Sequence, residues 1–209
     1  MKLPFTYLWS YLSAIGKTSS ILDLGTDDGQ FMKDLSYGKN WIVDGIEIYK
    51  PSFLKATTTK LYRHLWLGDL ETVTKRLVTR KQKYDVVLCS QVLEHLDKNK
   101  GRKVLKFAEK LATKRIVFAL PISYMNQPPE FLKGNPYQAH RSGWTIEEFK
   151  DLGFTVSGTG LKLLWSERGI CRTLSKKYRW PFVILGYLFA PLCYFFPEVA
   201  SGMIAVKEV

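Results

Sequence analysis

The 209-residue chain has only three cysteines, Cys89, Cys171 and Cys193, far apart and without a CxxC pair. A disulfide framework or thiolate metal site is not expected, and a reducing, cytoplasmic setting fits. Histidine is equally scarce: His64, His95 and His140 are scattered, no HxH or HxxxH spacing marks a metal, and no metal ligand is assigned. Acidic residues are outnumbered, 19 Asp and Glu against 31 Lys and Arg, leaving a net charge of +12. That excess attracts nucleic acid, anionic lipid or acidic substrates, or serves solubility alone. No internal repeat or low-complexity tract is present. Residues 1–16 are apolar and aromatic, but Pro4 and the missing basic region and small-residue cleavage site argue against a signal peptide. Residues 7–15 are read instead as a short helix packing on the domain. The stretch 181–197 carries no charge over 17 residues and is interrupted by Pro191. A comfortable membrane span needs about 20.

What is present is ordinary globular material, 46% hydrophobic and 24% charged, of a length that suits one domain over 1–209. Apolar β-branched runs alternate with helical patterns. Strands are predicted at 20–24, 41–46, 63–67, 84–89 and 115–120, and helices at 29–37, 51–58, 70–79 and 102–111. Such alternation implies a parallel sheet covered on both faces, with ligands at the carboxyl ends of the strands. A long loop, 121–143, follows. Then come a helix at 145–152 with Thr145 as N-cap and strands at 154–165 and 203–209. The expected fold is α/β and Rossmann-like: seven strands, mostly parallel, helices on both faces, and an apolar helical insertion (about 167–199) before the last strand.

The sharpest motif is ILDLGTDDGQF, 21–31. A strand ends at Leu24, Gly25 permits a tight turn and close ligand approach, and a helix start near Gly29 offers free N–H groups. Asp23 sits where a carboxylate meets an ammonium group. Glu47 ends the second strand 24 residues later, the place where an acid grips ribose hydroxyls in dinucleotide folds. LGDLE sets Asp69 beside the same crevice, and YDVVLCSQVLEHL brings up Ser90 and Gln91. These four ordered segments resemble the class I S-adenosylmethionine-dependent methyltransferases, especially the broad group with LEHL after the fourth strand. HRSGWTIEEFKDLGF, 140–154, is similar to that group's later helix and sixth strand. The resemblance spans roughly 20–154. It implies that Asp23 and the Gly25, Thr26 and Gly29 turn hold the methionine part of S-adenosyl-L-methionine. It implies Glu47 on the ribose, Ile48 near the adenine, Asp69 and Leu70 bracketing it, and Ser90 and Gln91 near the sulfonium. The family loop reads D-x-G-x-G-x-G, and here Asp27 replaces the middle glycine, a residue that tolerates positive φ. Taken singly, Asp69 is also a helix cap, and Glu94 and His95 also caps or covers of the following helix.

Methyl transfer needs positioning more than a conspicuous catalytic group. If the acceptor is a hydroxyl, His140 in the 121–143 loop is the candidate base, with Tyr124 and Tyr137 as orienting groups. The alternative for His140 is a loop histidine bonded to backbone. Base-amino methylation in families of this kind uses an N/D-P-P-Y/F loop after the fourth strand, where this chain has Cys89-Ser90-Gln91-Val92. Its Pro128-Pro129 pair falls after the fifth strand, and no Pro-Cys pair exists for cytosine C5 chemistry. ERGICRTLSKKYRW, 167–180, reads as a basic amphipathic helix leading into an uncharged aromatic hairpin. It fits a buried lid, an anionic membrane surface reached through 167–197, or a dimer interface. The expected activity is methyl transfer to a small or lipid-linked acceptor, cytoplasmic and peripherally membrane-associated. Its rivals are an RNA methyltransferase, nucleic acid being the weaker candidate, and a non-catalytic cofactor-binding partner subunit.

Overall fold

Seven short apolar runs become the strands of one sheet in the computed structural model, which describes residues 3–127, 132 and 134–209. Met1 and the Pro128-Pro129 pair lie outside the described residues. The strands are β1 (Ser20–Leu24), β2 (Ile42–Glu47), β3 (Tyr62–Leu67), β4 (Tyr84–Ser90), β5 (Ala112–Pro121), β6 (Thr155–Leu161) and β7 (Ala200–Glu208). Their spatial order is β3-β2-β1-β4-β5-β7-β6. All neighbours pair in parallel except β7, which runs antiparallel to both β5 and β6. Parallel neighbours need crossovers, supplied by α2 (Gln30–Ser36), α3 (Lys50–Thr58), α4 (Leu70–Thr79) and α5 (Lys98–Leu111). From β1 the chain winds outward to β2 and β3, then returns to lay β4 on the other side. The β1/β4 boundary is therefore the switch point at which such sheets open a crevice.

Period-two alternation divides the core. Leu22, Leu24, Val87, Phe118 and Leu120 face α4, α5 and α6 (Ile146–Asp151), meeting Val73, Leu77, Val104, Ala108 and Phe149. Ile21, Val86, Leu88, Val117 and Ile204 face the other way, against Tyr11 and Ile15 of α1 (Tyr7–Ile15) and Met32 and Leu35 of α2. Burying each such side chain contributes roughly 1.5–3 kcal/mol. Beneath β2 lies a polar exception. Asp44, 1% exposed, accepts from Arg63 Nε and Nη2, the His64 N–H and the Tyr84 hydroxyl at 2.6–3.0 Å. Its partners outweigh desolvation and hold its carboxyl below the ordinary range.

Three elements differ from expectation. The fifth helix begins at Lys98, not 102, because Gly101 is inside it: a Cβ there would collide with Trp144, whose ring packs on the helix. The predicted strand 154–165 stops at Leu161 and turns into α7 (Lys162–Trp165). Gly160, at φ +68°, turns the chain, and its β7 partners run out at Ala200. The amphipathic helix expected over 167–180 is broken. Only α8 (Ile170–Thr173) and a 3-10 turn (Lys176–Tyr178) form, because Leu174 and Ser175 adopt extended angles. The charge-free run becomes α9 (Trp180–Leu188) and α10 (Ala190–Phe195), joined at Phe189. Pro191 opens α10, where its missing N–H costs nothing. Among the described residues no helix is long and apolar enough to cross a membrane.

Candidate active site

A cavity of about 270 Å³ occupies the switch-point crevice. Its floor comes from the end of β1 (Asp23, Gly25, Thr26, Asp27), the end of β2 (Ile46, Glu47, Ile48) and the end of β4 (Ser90, Gln91, Val92). Leu70 reaches it from α4, Tyr7 from before α1's core-facing residues, and His95, Asn135, Tyr137 and Gln138 complete the wall. Gly25 has φ +82°, and a side chain there would run into Val92, so the turn requires glycine. Asp27 takes φ +47° without a glycine, its carboxylate accepting from the Ser52 hydroxyl at 2.6 Å.

Two acids dominate the electrostatics. Asp23 is buried, and its Oδ2 accepts from the Tyr62 hydroxyl at 2.8 Å. Burial pushes its carboxyl up to about 7; the Tyr62 bond opposes this and the Glu47 charge reinforces it. Glu47 is 7% exposed, and each of its oxygens is held. The Asp27 N–H donates to Oε2 at 2.8 Å and the Tyr49 N–H to Oε1 at 2.7 Å. Desolvation still raises its pKa. A carboxylate oxygen has two lone pairs, so each retains one for a ligand hydroxyl. Across the cavity the Ser90 hydroxyl is 2.6 Å from Tyr11, itself 3.0 Å from the Tyr7 hydroxyl.

Of the residues expected from sequence, Asp23, Gly25, Thr26, Glu47, Ile48, Leu70, Ser90 and Gln91 line this one cavity. Gly29 does not; it caps α2 at φ +77°. Asp69 is also outside the lining. Its Oδ1 accepts from the Thr72 N–H as the N-cap of α4, and Oδ2 pairs with Lys100. His140 is not among the lining residues either. Its Nδ1 is 2.6 Å from the Met125 carbonyl, and its ring stands 5.0 Å from His95, which does line the cavity. Desolvation lowers the pKa of His140 and, with the His140 charge, brings His95 down to about 4. Tyr137 lines the cavity, whereas Tyr124 is exposed, its hydroxyl near the His140 carbonyl.

Sequence reasoning missed Tyr62, Tyr7 and Tyr11. Tyr62 sits one residue before the predicted third strand, and only the β2/β3 pairing aims it at Asp23. It also left Glu94 and His95 as possible helix covers. They form a 3-10 turn (Leu93–His95) directly after β4, with Glu94 buried.

A second cavity, about 610 Å³, adjoins the first. It runs between α1, β6, β7 and the insertion, past Phe5, Met125, Trp165, Val183, Tyr187 and Tyr194. Tyr7 and Gln91 line both cavities.

The fold recurs among solved structures. A SAM dependent methyltransferase from Archaeoglobus fulgidus superposes with a TM-score of 0.62 at 16% identity, covering 97% of this chain and 91% of that one. The chain has the class I S-adenosylmethionine-dependent methyltransferase fold. Magnesium protoporphyrin IX methyltransferase from Synechocystis PCC 6803, with bound S-adenosylhomocysteine, shares that methyltransferase fold at a TM-score of 0.53 and 16% identity, covering 95% and 78%. The small RNA methyltransferase HEN1 shares it at 0.58 and 15%, over 99% of this chain and 26% of its own. No protein-family model and no curated protein sequence matches the chain.

Proposed function

We propose that the chain is an S-adenosylmethionine-dependent methyltransferase whose acceptor is a small or lipid-linked molecule with an apolar part, met at an anionic membrane surface. The observation that carries this reading is the pair of cavities meeting at Tyr7 and Gln91, one lined by Asp23, Asp27 and Glu47, the other larger and lined by no charged side chain. The residues fit the cofactor. Asp23 is a buried carboxyl in need of a cation, which the cofactor's ammonium supplies. Glu47, fixed by two N–H groups, accepts from the ribose hydroxyls. Ile48 and Leu70 border the adenine, and Ser90 and Gln91 the methionine and sulfonium. When bound, the cofactor supplies an electrophilic methyl group. The protein's part is to aim the acceptor atom along the breaking bond and keep water out.

The insertion supports the membrane part. Trp180, Leu188 and Phe195 are about two-thirds exposed, and the segment that leads into them carries Arg168, Lys176, Lys177 and Arg179. Exposed apolar side chains that follow a basic segment suit an anionic lipid interface. An RNA acceptor draws support from the net charge and the likeness to HEN1. Against it, the lysines of DKNKGRK are engaged: Lys98 with Glu148, Lys100 with Asp69 and Lys103 with Glu71.

Calorimetry with S-adenosylhomocysteine tests the cofactor site. Glu47→Ala should weaken binding by roughly 1.5–3 kcal/mol, the loss of a charge-assisted hydrogen bond. Unchanged affinity removes Glu47 from the site. Tight binding without turnover on any acceptor would favour a non-catalytic subunit.

A further inference from the structure

At the wall of the cofactor cavity Glu94 and His95, adjacent in sequence, converge with His140, 45 residues beyond His95. Their ligand atoms all lie within 4.8 Å of one another. Glu94 is 2% exposed, and its Oε2 has no hydrogen-bond partner among the described residues. A buried carboxylate oxygen left this way is costly, so the fold retains it against a penalty. The two imidazoles are arranged alike. His140 Nδ1 meets the Met125 carbonyl at 2.6 Å, and His95 Nδ1 meets the Ala139 carbonyl at 3.3 Å. A carbonyl only accepts, so Nδ1 carries the proton and Nε2 keeps its lone pair. Histidines that bind metals are oriented in this manner by an outer carbonyl.

We propose that Glu94, His95 and His140 bind one divalent first-row transition-metal cation beside the methyl-transfer site. Two imidazoles and one carboxylate suit zinc or manganese and leave coordination positions open. His95 lines the cofactor cavity with Gln91 and Gln138, so an acceptor oxygen entering there can bind the cation directly. This use of the cation rests on the methyltransferase reading; its binding does not. A cation-bound hydroxyl releases its proton to solvent. The oxygen lone pair then forms the bond to the methyl carbon, while the carbon–sulfur bond breaks and leaves its electron pair on sulfur. The products are a methyl ether, a neutral thioether and one proton. His140 acts here as a ligand, not as the base its loop position suggested.

The test is titration of chelator-stripped protein with Mn²⁺, followed by electron paramagnetic resonance, with S-adenosylhomocysteine affinity measured in parallel. Saturable uptake of one equivalent is expected, weakened about 100-fold or more in Glu94→Gln and in His140→Ala. Retained S-adenosylhomocysteine binding in these variants certifies that they fold; His140 is only half-buried and its variant is the safer of the two. No saturable uptake by the wild type, or equal uptake by both folded variants, overturns the site. Cation uptake by a wild-type protein that ignores S-adenosylhomocysteine would keep the site and sink the methyltransferase reading instead.

Discussion

Asp23 makes the proposed cofactor site a proton-coupled one. Its carboxyl stands at about 7 in the folded chain, against about 4 when unfolded. A raised folded pKa favours the protonated form, so its contribution to stability is complete below about pH 4 and is lost as pH rises through about 7. Relative to Asp23→Asn, the cofactor-free protein should therefore lose more melting temperature between about pH 5 and about pH 8. An ammonium group reverses the preference by stabilising the carboxylate. S-adenosylhomocysteine should thus bind more tightly as pH rises over the same window, releasing a proton that calorimetry in buffers of different ionisation heat detects. PH-independent affinity with no proton release would place the ammonium elsewhere.

Among the elements, those with strong local rules follow the sequence reading closely. The turn after β1 obeys its glycine, and α4 matches its predicted bounds. At α6 the Thr145 hydroxyl accepts from the Glu148 N–H while Glu148 accepts from the Thr145 N–H, a reciprocal cap. Thr145→Ala should cost about 1 kcal/mol in urea denaturation. No change would mean that Ile146 and Phe149, both buried, hold the helix start unaided. The elements that differ obey distant partners. The predicted helix starts only after Gly101, on which Trp144 packs, and 162–165 reads as strand until β7 runs out. The site follows the same division. Asp23 and Glu47, each at the end of an apolar run, line the cavity, whereas Asp69 in the same kind of position caps α4; the meeting of His95 with His140 has no local spacing to betray it. Even Tyr62 acquires meaning only once β3 lies beside β2.

For the molecule as a whole, the exposure of the insertion separates a cover from a docking face. A fully buried lid is excluded for its aromatic tips: Phe189 is 42% and Phe195 65% exposed, and among 180–196 Cys193 is the buried hydrophobic side chain. Truncating Phe195 to alanine should therefore cost about 1 kcal/mol or less, its edge contacts with Phe5 and Tyr194, not the 3–5 kcal/mol of a core phenylalanine. The same variant should bind anionic vesicles less well. Vesicle binding should also weaken with salt and fall when Arg172, Lys176, Lys177 and Arg179 become glutamine, at about 1 kcal/mol per nearby cation. Wild-type protein indifferent to anionic vesicles in a flotation assay would leave a self-association face instead.

The position of β7 has a further consequence during synthesis. β6 gains its ladder from β7 alone among the described strands, and β5 gains its outer ladder there too, through pairs as distant as Arg115 with Glu208. The ribosome delivers β6, then the whole apolar insertion, and only then the strand that joins β6 to the sheet. Through that interval a nascent chain presents an unpaired strand and a run of bare aromatics at once. Contacts this remote in sequence form slowly, and such intermediates aggregate readily. Nascent chains of this protein should thus depend on a lipid surface or a chaperone to shelter α9 and α10 until β7 arrives.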